Sequence, residues 1–213
     1  MRSFARKAIA AAAGIALGIL SSEAQAESLE IALGLTGGVL MPSFESTDRT
    51  SFALATWTTG VTARTGLTDD LDLELRVAMA MFRGATNTTL PYRGQSLDGR
   101  LHFAALSIHP ELGARYNLVG GYALSPYVEA GLGFLWTRYT DQHLLDRQDR
   151  DFGLGIPNVG QGALTARVGA SLEYRLLDLL LLGLRGGWAR SLSRARYRQH
   201  FTLTLEAGFA WFP

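Results

Sequence analysis

Phe201-Thr202-Leu203-Thr204-Leu205-Glu206-Ala207-Gly208-Phe209-Ala210-Trp211 alternates without a break, with apolar side chains at every odd position and small or polar ones between. Period-two alternation puts the two sets on opposite faces of an extended strand. The pattern recurs through the chain. Leu29, Ile31, Leu33 and Leu35 form one such row. Leu71 to Met81 alternate with Asp72, Glu74 and Arg76, Val128 to Trp136 with Glu129, and Leu164 to Tyr174 with Arg167 and Glu173. No segment beyond residue 26 carries a helical period. Eight strands are predicted, over residues 29–40, 52–67, 70–83, 101–117, 126–139, 162–176, 178–191 and 199–212. Pro110 lacks a ladder donor and predicts a bulge or register shift in the fourth.

The connections alternate too. Those after strands two, four and six are short, at Thr68-Asp69, around Gly120-Gly121 and at Leu177. Those after strands one, three, five and seven are longer, the longest running from Thr140 to Gln161. Even strand number with short turns at one end and long loops at the other is the pattern of a transmembrane barrel. Soluble barrels also alternate, but with a polar exterior. Here one face is Leu, Val, Ala, Met and aromatic. The other carries Arg64, Asp72, Glu74, Arg76, Glu111, Arg115, Glu129, Arg167, Glu173, Arg175, Arg185 and Glu206. A charge facing lipid near the midplane would cost about 2–4 kcal/mol, so this set is expected to point inward as a lumen charge network. Trp57, Trp136 and Trp188 fall near the long-loop ends of their strands, and Tyr116, Tyr174 and Trp211 near the short-turn ends, as two aromatic girdles would. The expected fold is all-β: an eight-stranded antiparallel up-and-down transmembrane β-barrel.

Met1 to Lys7 form a basic head, Ala8 to Leu20 an apolar run, and Ala24-Gln25-Ala26 a small-x-small site, the order of a cleaved signal peptide. The expected division is 1–26 signal peptide and 27–213 barrel domain. There is no cysteine, so no disulfide or thiol chemistry. A net charge of +1 argues against nucleic acid as a partner.

With Ser125-Pro126-Tyr127-Val128-Glu129-Ala130-Gly131-Leu132-Gly133-Phe134, the chain resembles the small outer-membrane β-barrel proteins typified by the OmpA transmembrane domain and OmpX. The resemblance implies the bacterial outer membrane, reached through the periplasm, with membrane lipid and lipopolysaccharide as surroundings. The closing Phe209-Ala210-Trp211-Phe212 is similar to the aromatic-ended signal read by the barrel-assembly machinery, though Pro213 follows it.

Candidate sites are few. Ser107, His109 and Glu111 share one face of a strand and offer the residue types of acyl transfer. Alternate residues on a strand stand about 7 Å apart, too far for direct hydrogen bonds. His200, Thr202 and Glu206 lack the His-x-Ser-Asn pattern of lipid A deacylases. Asp141, Asp146, Asp149 and Asp151 offer oxygen ligands in the longest loop, but the spacing fits no EF-hand and Arg147 and Arg150 compete for the carboxylates. No metal, cofactor or catalytic residue is therefore expected. Arg190, Arg194, Arg196 and Arg198 make the last loop basic, suited to anionic lipopolysaccharide headgroups or an anionic partner surface, or equally to a solubilising role alone. At eight strands a barrel interior is just filled by side chains. The expected role is a scaffold with a packed, charged lumen presenting loops for recognition, adhesion or envelope integrity. A narrow passive channel is the first alternative and a lipid-modifying enzyme the second. A cross-strand pair between Arg64 and Glu74, placed symmetrically about the Thr68 turn, is expected within the lumen.

Overall fold

The computed structural model describes residues 30–44, 51–52, 55–119, 123–176, 179–193 and 197–211, and every regular element among them is a β-strand. The signal-peptide region, Leu177, Arg194, Arg196, Phe212 and Pro213 lie outside the described residues. The strands are β1 (Ile31–Phe44), β2 (Ser51–Phe52), β3 (Thr56–Gly66), β4 (Leu71–Tyr92), β5 (Gln95–Asn117), β6 (Leu124–Leu145), β7 (Val159–Leu176), β8 (Leu180–Ser191) and β9 (Tyr197–Trp211). β2 is a two-residue continuation of the β1–β3 hairpin, opposite Ser43 and Phe44. The other eight form the wall. Each is antiparallel to the next, and β1 pairs with β9 from Ile31↔Trp211 upward to close the ring. Closure gives the wall's backbone groups partners without leaving a sheet edge in the bilayer, where an unpaired one would cost several kcal/mol.

Alternation decides which face is which. On β4, Glu74, Arg76, Ala80 and Phe82 are buried, whereas Leu75, Met79 and Met81 stand outside. On β9, His200, Thr204 and Glu206 point in and Leu203, Leu205 and Phe209 out. The outer surface is thus an apolar band, with Leu35 and Leu205 each 67% exposed. So large an apolar surface is stable only against lipid.

The turn at Thr68 sets the register of β3 and β4. Leu67 N donates to the Leu71 carbonyl at 2.7 Å, and Arg64 lies opposite Glu74. Two expectations need correction. The connection after the third predicted strand is no long loop: β4 and β5 continue in register to Tyr92↔Gln95, joined by Arg93-Gly94 with φ of 48° and 80°. Both residues in the left-handed region make the tight turn that matches strand twist. Pro110 causes no register shift. The β5–β6 pairs on either side, Ile108↔Trp136 and Glu111↔Gly133, keep one register, and only the local ladder is interrupted. The bulge lies higher, where register shifts between His102 and Ala104 and Asp141 adopts a φ of 52°. That extra residue lets Gln142 and Leu144 turn inward after Tyr139.

Candidate functional site

The lumen is layered. At its middle, bidentate contacts join Arg185 of β8 to Glu74 of β4 at 2.5 and 2.8 Å. Arg185 also meets Glu206 at 2.8 Å and Glu129 at 3.4 Å. Arg64 is paired with Glu173 and, at 2.9 Å, with Glu206, whose carboxylate also accepts from Thr62 at 2.8 Å. Arg115 bridges Glu173 at 3.0 Å, Glu129 at 3.7 Å and Asp72 at 3.9 Å, and its guanidinium stacks 4.0 Å over the Tyr127 ring. Arg167 reaches Glu129 at 2.9 Å and Glu111 at 3.2 Å. Of the charges expected inside, all but Arg76 and Arg175 belong to this single network. Arg175 holds Glu30 at 2.8 and 2.9 Å near the short-turn end.

The expected Arg64–Glu74 pair does not form. The two face each other in register, but inward side chains of a closed barrel converge on its axis. Their charged heads therefore find partners on other strands, Arg64 on β7 and β9 and Glu74 on β8.

Above the ionic layer the same inward positions turn apolar. Leu40, Phe82, Leu101, Phe103, Leu135, Tyr139 and Leu144 form a buried cluster, with Phe103 and Tyr139 edge to face at 5.2 Å. Leu154 and Ile156 of the 146–158 loop pack onto it, so the loop helps cover the long-loop end. Ala32, Leu181 and Ala210 make a smaller apolar cluster low in the lumen. The parity of β4 and β5 carried a signal for the upper cluster, since Phe82 and Phe103 fall in line with Glu74 and Glu111. Glu30 was likewise detectable through its parity with Ala32.

The enzyme-like trio does not assemble. Ser107 Oγ points to the Ala80 carbonyl at 3.4 Å, while His109 Nε2 meets Thr165 Oγ1 at 2.7 Å and its Nδ1 stands 4.0 Å from Glu111. His200 packs edge to face on His109 at 5.5 Å. The acidic loop is tied to itself. Asp146 accepts from the backbone N–H of Gln148 and Arg150 and pairs with the Arg150 side chain at 2.9 Å. His143 sits between Asp151 at 3.0 Å and Asp141 at 3.1 Å. Among the described residues no His, Asp and Glu group has the geometry of a metal site.

Outside, Trp57 and Trp136 are exposed and Trp188 half-buried around the upper rim, while Tyr116, Tyr174 and Trp211 are exposed around the lower one. Tyr116 and Ile108, the partner of Trp136, are separated by eight residues of β5. That is about 26 Å along a strand and roughly 20 Å of height at a 40° tilt, close to the thickness of an outer-membrane apolar band. Arg190 is exposed and Arg198 half-buried at the long-loop end.

The model of the outer membrane protein beta-barrel domain matches residues 12–189. The chain belongs to this family. It is a protein of the outer membrane. Among solved structures, a major outer membrane protein from Thermus thermophilus aligns at 12% identity and a TM-score of 0.56, over 87% of this chain and 100% of that one. Neisserial surface protein A aligns at 12% identity and 0.51, over 88% and 98%. These likenesses show a shared fold. No curated protein matches the sequence.

Proposed function

We propose that this barrel is a closed, non-catalytic scaffold that displays its long-loop end at the cell surface for recognition, adhesion or envelope integrity. The observation that carries the reading is the filled lumen: a continuous ion-pair layer beneath an apolar cluster that a loop packs against. Side chains fill both layers, so no solute path is expected, and the His109 and His200 imidazoles lie inside the lumen beneath the cluster. What remains available is the exterior. β4, β5 and β6 run well beyond the level of Trp136, and the β4–β5 extension carries polar residues on both faces, such as Asn87, Thr88 and Thr89. Its tip stacks Arg93 over Tyr92 at 5.3 Å. A hydrogen-bonded β-ribbon of this kind presents side chains at fixed spacing, as a recognition surface must. Arg190, Arg194, Arg196 and Arg198 would add contacts to lipopolysaccharide phosphates.

The test is to replace residues 88–99 by a two-residue Asn-Gly turn. The shortened protein should still run as a heat-modifiable barrel, while cells carrying it lose surface attachment or detergent resistance relative to wild type. Unchanged behaviour in both assays would contradict the reading.

A further inference from the structure

Two arginines stand on the lipid side of the wall. Arg83 of β4 and Arg138 of β6 are exposed, while their neighbours Phe82, Thr137 and Tyr139 are buried in the lumen, which fixes the facing. Arg83 follows Met81 by two residues and Arg138 follows Trp136 by two, so both lie one step beyond the apolar band. That step is about 7 Å along the strand and roughly 5 Å of height at a 40° tilt. β5 runs between them. Its Ala104 pairs with Arg83 on one side and with Thr140, two residues past Arg138, on the other. Two strand spacings and that offset put the two Cα atoms about 12 Å apart, so both guanidinium groups can reach one species. Ala104, half-buried and facing outward, places only a methyl group between them.

Among the described residues neither arginine has an ion-pair partner, whereas Arg150 in the long loop holds Asp146 at 2.9 Å. The two ends of the barrel differ in the same sense. Every exposed arginine among the described residues stands at the long-loop end, while the short-turn end exposes Asp69 and keeps Arg175 half-buried against Glu30. Two like charges side by side repel unless an anion spans them. These two project sideways into the headgroup layer, where a lipid reaches them and a soluble partner does not. A guanidinium pairs with a phosphate through two parallel hydrogen bonds. We propose that Arg83 and Arg138 together clamp a phosphate of the outer-leaflet glycolipid, the lipopolysaccharide headgroup, from the lipid side of the wall. This site is separate from the last loop. It rests on the outer-membrane barrel and not on the scaffold role, since replacing residues 88–99 leaves both arginines in place and the two readings fail independently.

The test is to refold the protein in detergent and titrate it with diphosphoryl lipid A, with lipid A stripped of both phosphates, and with phosphatidylglycerol, counting bound lipid by native mass spectrometry. Wild type should hold diphosphoryl lipid A about tenfold more tightly than either of the others. The double variant Arg83→Gln with Arg138→Gln should lose that preference. Arg93→Gln with Arg147→Gln removes the same charge from the ribbon tip and the long loop, and should keep it. No preference in wild type, equal binding of phosphatidylglycerol, an unchanged preference in the clamp variant, or an equal loss in the control overturns the proposal. Heat-modifiable migration checks that each variant is a closed barrel. Arg138→Gln alone serves if the double variant fails to fold: a partial loss of the preference supports the clamp, and no loss rejects it.

Discussion

Arg185 and Glu74 meet across the full diameter of the barrel, from β8 to β4, four strands apart in the ring whichever way it is counted. Both are buried, and two parallel N–H···O contacts fix their orientation as well as their distance. Arg185 also serves Glu206 and Glu129, so its one charge is shared among three carboxylates.

Removing Arg185 should therefore cost more than removing Glu74. Breaking one side of a buried pair typically costs about 3–5 kcal/mol because the other charge stays behind. Arg185→Met is expected at the upper end of that range and Glu74→Gln below it. The double variant should lose less than the sum of the two, since the carboxylate left by Arg185→Met is partly gone. Denaturant unfolding in lipid measures the cycle, and strictly additive losses would show that the two do not interact.

The outer face should tolerate charge only beyond the girdles. Leu205 lies on β9 between Phe201 and Trp211 and faces outward. Leu205→Arg is expected to cost about 2–4 kcal/mol, the midplane value. Gln148→Arg, in the exposed 146–158 loop, should stay within about 0.5 kcal/mol of wild type. Equal costs at the two sites would place the membrane elsewhere.

The long loop should tighten in acid. His143 donates to Asp141 and Asp151, and these hydrogen bonds, Asp141's first, raise its pKa above the ordinary 6.5. The backbone N–H of Gly153 and then His143 lower that of Asp151. A raised folded-state value means the tether is fully present below the ordinary histidine range and is lost as pH rises through the higher value. An NMR titration of His143 should give a midpoint above 6.5, and Asp141→Asn should bring it down. A wild-type midpoint at or below 6.5 would contradict the tether.

Wall and lumen were not equally legible in sequence. Inside the membrane, side chains on the two faces of a strand meet opposite media, so Leu71 to Met81 and Phe201 to Trp211 announced both strand and facing. The Thr68 turn announced the register of Arg64 and Glu74. Beyond the girdles the outer face is no longer apolar, so Thr86 to Tyr92 gave no clean alternation. The turn at Arg93-Gly94 was the only mark of the extension. Ion pairing escaped for a geometric reason: register names the neighbour along the wall, whereas a charged head near the axis can choose among all eight strands. Arg64 and Glu74 read as a natural pair from register and part company in the lumen, as do Arg76 and Glu111, register partners on the next ladder.

A single-channel recording on the refolded protein in a planar bilayer tests the closed lumen most directly. With Arg185, Arg64 and Arg167 locked to their carboxylates beneath the apolar cluster, the wild-type trace should show no steady current, only brief small events as an ion pair changes partner. Shortening Arg76, Arg167 and Arg185 together should raise the current. Stable openings of porin size in the wild-type protein would contradict the account and make the barrel a channel.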